Sequence, residues 1–217
     1  MRLGDNFNLL LKRKERPLVD LQMRYVQEGS AIVTDAQGRI VQGSELVDNL
    51  LKYSFSSAQV DLPADVAARV RDLADRIPDD DIAAKGREPN PHITIKYGLH
   101  TQDPADVAEV LEGEPAVHAT LGSASYFEGV DEGGADAVIV EVRSRCLHRL
   151  NRRLSDALEH TDTHPGYKPH LTVAYVKPGM GEHYAELIGD ALEGTELTFD
   201  RVTLAPKSEP TIAAVSK

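Results

Sequence analysis

The sequence predicts an α/β (α+β) domain made of two strand-helix-strand halves, and three observations carry that prediction. Strand-like and helix-like patterns alternate from Ser56 onward. A nearly continuous apolar run, Ala137-Val138-Ile139-Val140-Glu141-Val142, precedes an amphipathic stripe, and a seven-residue motif recurs 78 residues apart. Mixed elements in this order bury one face of each helix on one principal sheet system.

Taken in order, the elements begin with a segment of different charge. Residues 1–54 hold eight Lys or Arg and seven Asp or Glu, net +1, whereas residues 55–217 hold 16 and 28, net −12. The chain divides on this basis into an accessory N-terminal extension, 1–54, and a principal domain, 55–217. In the extension, Lys12-Arg13-Lys14-Glu15-Arg16 reads as a solvated leader rather than a nucleic-acid arm, because five residues with an internal Glu leave a weak electrostatic footprint. Ala31-Ile32-Val33-Thr34 and Arg39-Ile40-Val41 flank the turn-like Asp35-Ala36-Gln37-Gly38 and predict a hairpin.

In the principal domain, Ser56-Ser57-Ala58-Gln59-Val60 predicts a strand that runs into Asp61 as a helix cap, with Pro63 in the first turn. Val66, Val70, Leu73, Ala74 and Ile77 form the stripe of the following helix, which Pro78 ends. Asp79-Asp80-Asp81 reads as a solvated loop in preference to a metal site. A helix is expected over 104–111, capped by Asp103 and ended by Gly113, and strands over 116–121 and 124–128. The run at 137–142 predicts a central strand, followed by a helix striped by Leu147, Leu150, Leu154 and Leu158, with Arg145, Arg149, Arg152 and Arg153 on its exposed side. A helix over 182–192, striped by Tyr184, Leu187, Ile188 and Ala191, and strands at 196–204 and 210–215 complete the expectation.

Composition narrows the function classes. With 24 Lys and Arg against 35 Asp and Glu, the formal charge is −11, which opposes binding to a long polyanion, where cations must displace counterions from phosphates. The expected nucleotide partner is therefore short. No run of about 18 apolar residues predicts a membrane span. The start, Met1-Arg2-Leu3-Gly4-Asp5-Asn6, lacks the pattern of a signal peptide, and the single cysteine, Cys146, cannot form an internal disulfide, so a reducing cytoplasm is expected.

The repeat carries the chemistry. Pro91-His92-Ile93-Thr94-Ile95-Lys96-Tyr97 and Pro169-His170-Leu171-Thr172-Val173-Ala174-Tyr175 share Pro, His, Thr and Tyr in register. On a regular strand, His92, Thr94 and Lys96 take one face and Ile93, Ile95 and Tyr97 the other, and the second copy repeats this for His170 and Thr172. Tyr97 and Tyr175 are thereby expected in the core. One His-x-Thr proves little, because hydrogen-bonded structural histidines are common; two copies in equivalent contexts point to a shared cleft.

Two imidazoles with an ordinary pKa of about 6.5 can act together at neutral pH, one neutral and one protonated. Breaking a phosphodiester needs such a pair, a base to activate the attacking hydroxyl and an acid to protonate the departing oxygen. Thr94 and Thr172 supply hydroxyls for the non-bridging oxygens. No metal or other cofactor is expected: His160, His164 and His170 fit no standard ligand spacing. There is no Gly-x-Ser-x-Gly elbow for a serine nucleophile, and Cys146 sits at an apolar helix position. Lys96 shares the His92 face, and Tyr53, Phe55 and Gln59 precede or occupy the first strand; Tyr53, Gln59 and Lys96 are the candidate substrate-binding residues.

At these motifs the chain resembles the 2H phosphoesterase superfamily, which is defined by two His-x-Thr/Ser motifs and includes the 2′-5′ RNA ligase-like proteins and RNA cyclic phosphodiesterases. The likeness covers about 55–217. It implies a bilobal fold, two pseudo-symmetric lobes around a central cleft, with His92, Thr94, His170 and Thr172 as catalytic residues and metal-independent chemistry on nucleotide phosphodiesters or cyclic phosphates. The flanks, Ser57-Ala58-Gln59-Val60-Asp61-Leu62-Pro63 and Ile77-Pro78-Asp79, look most like the phage-encoded branch that includes anti-CBASS phosphodiesterases. That resemblance implies a 3′-5′ cyclic dinucleotide or trinucleotide as substrate, attacked by its own ribose 2′-hydroxyl. The alternatives are opening of RNA 2′,3′-cyclic phosphates and a non-catalytic nucleotide-binding module of a phage particle.

Overall fold

The structure is a computed structural model, and it describes residues 55–131, 133–162 and 166–205 in full, with the backbone alone of the strands at 7–13, 16–26, 30–35 and 211–214. The chain falls into two compact units, residues 1–53 with 163–165, and residues 54–162 with 166–217.

In the first unit, β1 (Phe7–Arg13), β2 (Arg16–Val26) and β3 (Ser30–Asp35) form an antiparallel sheet in that order. The segment 31–34 is a strand and pairs with β2, Ala31 standing opposite Tyr25. Arg39-Ile40-Val41 lies outside the described residues.

The second unit is built on nine strands: β4 (Ser56–Asp61), β5 (Ile82–Arg87), β6 (His92–Leu99), β7 (Val117–Phe127), β8 (Asp136–Arg143), β9 (His170–Val176), β10 (Glu196–Phe199), β11 (Arg201–Ala205) and β12 (Thr211–Ala214). Their order is β10-β7-β8-β9-β6-β4-β11-β12, with β5 also on β9, and every pairing is antiparallel. The fold is therefore α+β. Four helices accompany the sheet among the described residues: α1 (Ala64–Ala74), α2 (Pro104–Val110), α3 (Arg145–Ala157) and α4 (Gly181–Ile188). β10 and β11 stand near opposite ends of the strand order, yet only Asp200 separates them in the chain. The sheet must curl until its two ends meet at that residue.

Several elements differ from the sequence expectation, each for a physical reason. Asp61 is the last residue of β4 and not a cap; Pro63 occupies the cap position with no side-chain bond, and Asp61 instead accepts from Gln59 Nε2 (2.8 Å) and Thr203 Oγ1 (2.6 Å). α1 ends at Ala74 rather than at Pro78, because Arg87 on the unanticipated strand β5 takes up the carbonyls of Ala74 (3.0 Å) and Ile77 (2.5 Å). The strands at 116–121 and 124–128 are one strand, β7, with a bulge between Leu121 and Ala124. The span 196–204 breaks at Asp200 into β10 and β11. α4 ends at Ile188, where Gly189 follows at φ 55°, so Leu187 is 47% exposed and Ala191 is also outside, while Leu192 fills the core. Asp103 does cap α2, accepting from the Ala105 amide at 2.8 Å.

The core runs along the helix-bearing face of the sheet, where Ile93, Ile95, Leu171, Val173, Val140, Leu147, Leu150 and Leu154 are fully buried. α1 packs on β9, and α3 packs on β6 and β7, so the helix that follows each half's first strand covers the other half's motif strand. Arg149 and Arg153 on α3 are not merely solvated. Both reach the buried Glu114 carboxylate, Arg149 at 2.7 Å and Arg153 at 2.6 Å. Burial works to raise the Glu114 pKa, but the hydrogen bonds from Arg153 and Arg149 win and hold it below the usual carboxylate range.

The sign of the resulting pH dependence is set by that depression. A carboxylate with a depressed folded-state pKa stabilises the fold above its unfolded pKa of about 4.3 and loses that stabilisation as pH falls through the folded value. Glu114→Gln should therefore cost about 1–2 kcal/mol at neutral pH, allowing for two half-exposed arginines. That is roughly 3–6 °C in Tm. In thermal melts the gap to the wild type should close between about pH 5 and pH 3; a constant gap would show that the charge is not its source.

Candidate active site

β6 and β9 lie side by side at the centre of the strand order and run antiparallel, with Ile93 opposite Leu171. One residue either way, that register sets His92 beside Thr172 and Thr94 beside His170. Ile93 and Leu171 point into the core at 0% exposure, which turns the four polar side chains to the other face, where all are half-buried. Side chains directly opposite on neighbouring strands stand about 5 Å apart at Cβ. Two motifs 78 residues apart thus become one cluster of two His and two Thr.

Each imidazole is oriented in the same way. His92 donates from Nδ1 to the Asn90 carbonyl at 2.9 Å, and His170 from Nδ1 to the Lys168 carbonyl at 2.7 Å. A carbonyl can only accept, so the contact keeps the proton on Nδ1 and puts the lone pair of the neutral ring on Nε2. The intervening prolines are fixed too: the Pro91 carbonyl accepts from the Leu62 amide (3.2 Å) and the Pro169 carbonyl from the Val142 amide (3.1 Å). The Phe127 ring meets His170 edge-on, 4.9 Å between centroids at 88°.

The flanking strands repeat this symmetry. Asp61 on β4 pairs with His92, and Glu141 on β8 pairs with His170, so a carboxylate stands opposite each histidine on the same face. Sequence reasoning missed both acids. The signal was Val60-Asp61 against Val140-Glu141, an offset of 80 where the motifs differ by 78. Gly122 on β7 leaves room for the second acid, since a Cβ there would lie 3.2 Å from that of Glu141.

Beyond the threonines, regular alternation fails at matched places. Between β4 and β6 the register passes from Gln59 opposite Thr94 to Ala58 opposite Lys96, leaving Ile95 unpaired. Between β8 and β9 it passes from Ile139 opposite Thr172 to Val138 opposite Ala174, leaving Val173 unpaired. Each is a one-residue bulge that reverses which face later side chains take. The freed Ile95 carbonyl accepts from Asn151 Nδ2 (2.7 Å) and the Val173 carbonyl from the Glu88 amide (3.1 Å).

The bulges correct three expectations. Lys96 is not on the histidine face: it is 5% exposed and its ammonium bonds Asp162 at 2.6 Å. Tyr97 is not in the core but 48% exposed, and Tyr175 is half-buried instead of enclosed. Burial holds the Tyr97 phenol above its ordinary pKa; for Tyr175 burial does so first, with the Glu88 charge adding to it. Both phenols are thus neutral at physiological pH. Lys85, on the unanticipated β5, stands over the Tyr175 ring at 4.8 Å.

Of the remaining candidates, Gln59 is 8% exposed and opposite Thr94, with its amide committed to Asp61. Phe55 is buried, stacked on His100 at 5.8 Å. Tyr53 lies outside the described residues. Among the described residues no group of three or more His, Cys, Asp or Glu is placed to hold a metal ion, and no helix is long and apolar enough to cross a membrane. Asp79 pairs with Arg87 (2.7 Å), and Asp81 accepts from the Tyr184 hydroxyl (2.5 Å).

Comparison with known proteins agrees with this geometry. A family model described as the 2′-5′ RNA ligase superfamily matches residues 62–209. No curated protein matches the chain. Among solved structures, TT0787 of Thermus thermophilus is similar with a TM-score of 0.52 and 18% identity, over 75% of this chain and 95% of that one. E. coli LigT complexed with 3′-AMP is similar with a TM-score of 0.51 and 14% identity, again over 75% and 95%. At such identities the likeness is one of fold.

Proposed function

The chain belongs to the 2′-5′ RNA ligase superfamily, and from that premise we propose that it is a metal-independent phosphodiesterase of the 2H type that cleaves a small nucleotide by histidine acid-base catalysis. The observation that carries the reading is the pairing of β6 with β9, which brings two equally oriented histidines and two threonines onto one face. One neutral imidazole takes the proton of an attacking hydroxyl through Nε2, while the other, protonated, gives one to the departing oxygen. The Thr94 and Thr172 hydroxyls donate to the non-bridging oxygens as their charge grows. Asp61 and Glu141 stand opposite the two histidines on the neighbouring strands, one beside each ring.

The substrate we favour is a 3′-5′ cyclic dinucleotide or trinucleotide, as in the phage anti-CBASS branch that the flanks resemble, with action in the cytoplasm of an infected cell. Its ribose 2′-hydroxyl attacks the adjacent phosphorus, the 5′-oxygen leaves with a proton, and a 2′,3′-cyclic phosphate forms; water then opens that ring with the histidines in exchanged roles. The net charge of −12 over residues 55–217 supports a short substrate over a long one. E. coli LigT, similar in fold, was solved with 3′-AMP, a single nucleotide. Residues 1–54 are proposed to be an accessory extension to this domain.

The test is incubation, with EDTA present, with a panel of 3′-5′ cyclic dinucleotides and trinucleotides and an RNA ending in 2′,3′-cyclic phosphate, followed by mass spectrometry. Cleavage of the cyclic oligonucleotides is the expected result. Cleavage of the RNA end alone would move the assignment to RNA processing. Binding without turnover would leave a nucleotide-binding module.

A further inference from the structure

The matched bulges at Ile95 and Val173 serve no purpose in the four-residue cluster itself, which ends at Thr94 and Thr172. Their effect falls on the residues further along each strand. Each exchanges a lysine or alanine for a tyrosine on the histidine face: Lys96 and Ala174 become buried, and Tyr97 and Tyr175 emerge. Because β6 and β9 are antiparallel, the two tyrosines leave the cluster in opposite directions. Each lies four residues past the Ile93-Leu171 level, at most about 13 Å along its strand. They bracket the reacting centre.

Both rings are held. Tyr97 meets the buried Phe55 edge-on, 6.1 Å between centroids at 81°, and Phe55 is itself stacked on His100. Lys85 stands over the Tyr175 ring, 4.8 Å from its centroid. A neutral, partly exposed aromatic ring fixed in place is a stacking surface that accepts any base.

Resting on the phosphodiesterase reading, we propose that Tyr97 and Tyr175 are substrate-positioning residues that each hold one of the two nucleosides flanking the scissile phosphate. The site then takes a substrate with a nucleoside on both sides of the bond. A nucleoside 2′,3′-cyclic phosphate, with one nucleoside, engages only one of them.

The experiment compares Tyr97→Ala, Tyr175→Ala and the corresponding Phe variants on a 3′-5′ cyclic dinucleotide and on a nucleoside 2′,3′-cyclic phosphate. For the dinucleotide, each Ala variant should raise KM about tenfold with kcat within about threefold, and Phe should restore most of the loss. For the mononucleotide, only one Ala variant should have that effect. The same substitutions placed in His92→Ala, titrated with the cyclic dinucleotide by calorimetry, give a readout that needs no turnover. Unchanged KM and affinity in both Ala variants overturn the proposal, as does equal loss on both substrates in both variants, or no binding by His92→Ala itself. A wild type that turns over neither substrate sinks the phosphodiesterase reading alone, and calorimetry then decides the tyrosines.

Discussion

His92→Ala and His170→Ala should each lower kcat on the cognate phosphodiester by about 10²–10⁴-fold, the range for losing a positioned acid or base. The double variant should be little worse than either single one, because a base without its acid completes no proton transfer and the two act as a unit. Thr94→Val and Thr172→Val keep the shape of the strand and remove only a donor, so a smaller loss, nearer 10²-fold, is expected from each. The histidines are half-buried and each donates from Nδ1 to a backbone carbonyl, so Tm should move by a few degrees at most. Single-turnover rates beside thermal melts separate catalysis from folding. Undiminished turnover in both histidine variants would falsify the acid-base assignment.

The largest effect on stability should come from Asp136, which is far from a proton-transfer role. Its carboxylate is 1% exposed and accepts from three backbone amides, Gly129 at 3.1 Å, Gly179 at 2.9 Å and Gly181 at 3.0 Å. It thereby ties the loop before β8 and the turn entering α4 to the first residue of β8. The contact at Gly181 is close, since a Cβ there would lie 2.5 Å from the Tyr126 ring and 2.9 Å from the Asp136 Cβ. Asp136→Ala strands three donors at about 1–3 kcal/mol each, partly recovered by water at the loop, so a net loss of about 3–5 kcal/mol is expected. That is roughly 10 °C in Tm. Asp136→Asn keeps one acceptor oxygen and should fall between. An Ala variant melting within about 2 °C of the wild type would show that other groups carry these loops.

The legible part of the fold was the part that local pattern determines. Val66, Val70, Leu73, Leu147, Leu150 and Leu154 recur at helical spacing and are buried as that spacing requires. The two His-x-Thr motifs were legible because four identities recur in register, and strand alternation alone turns both histidines away from Ile93 and Leu171. What escaped depends on partners distant in sequence. A bulge is a relation between two strands, and nothing in Ile95 or Val173 distinguishes an unpaired residue from a paired one; hence Lys96 and the tyrosines were assigned to the wrong faces. Asp61 looked like a cap because an acid before Pro63 suits that role, whereas Thr203, 142 residues later, bonds it. β5 was missed because Ala83-Ala84-Lys85-Gly86 carries no alternation, and its strand character comes from pairing with β9.

The exchange of helices between the halves bears on what each half is by itself. With α1 lying on β9 and α3 on β6, a fragment holding only one half leaves its own motif strand bare on the apolar side and its helix without a seat. Two copies of such a fragment could satisfy each other about a two-fold axis, since the β6-β9 pair is antiparallel and would become an isologous interface between identical subunits. The full chain is in this sense a tethered dimer of half-sites. Cutting the connection between the halves should yield fragments that fold only by pairing and regain the native activity once mixed.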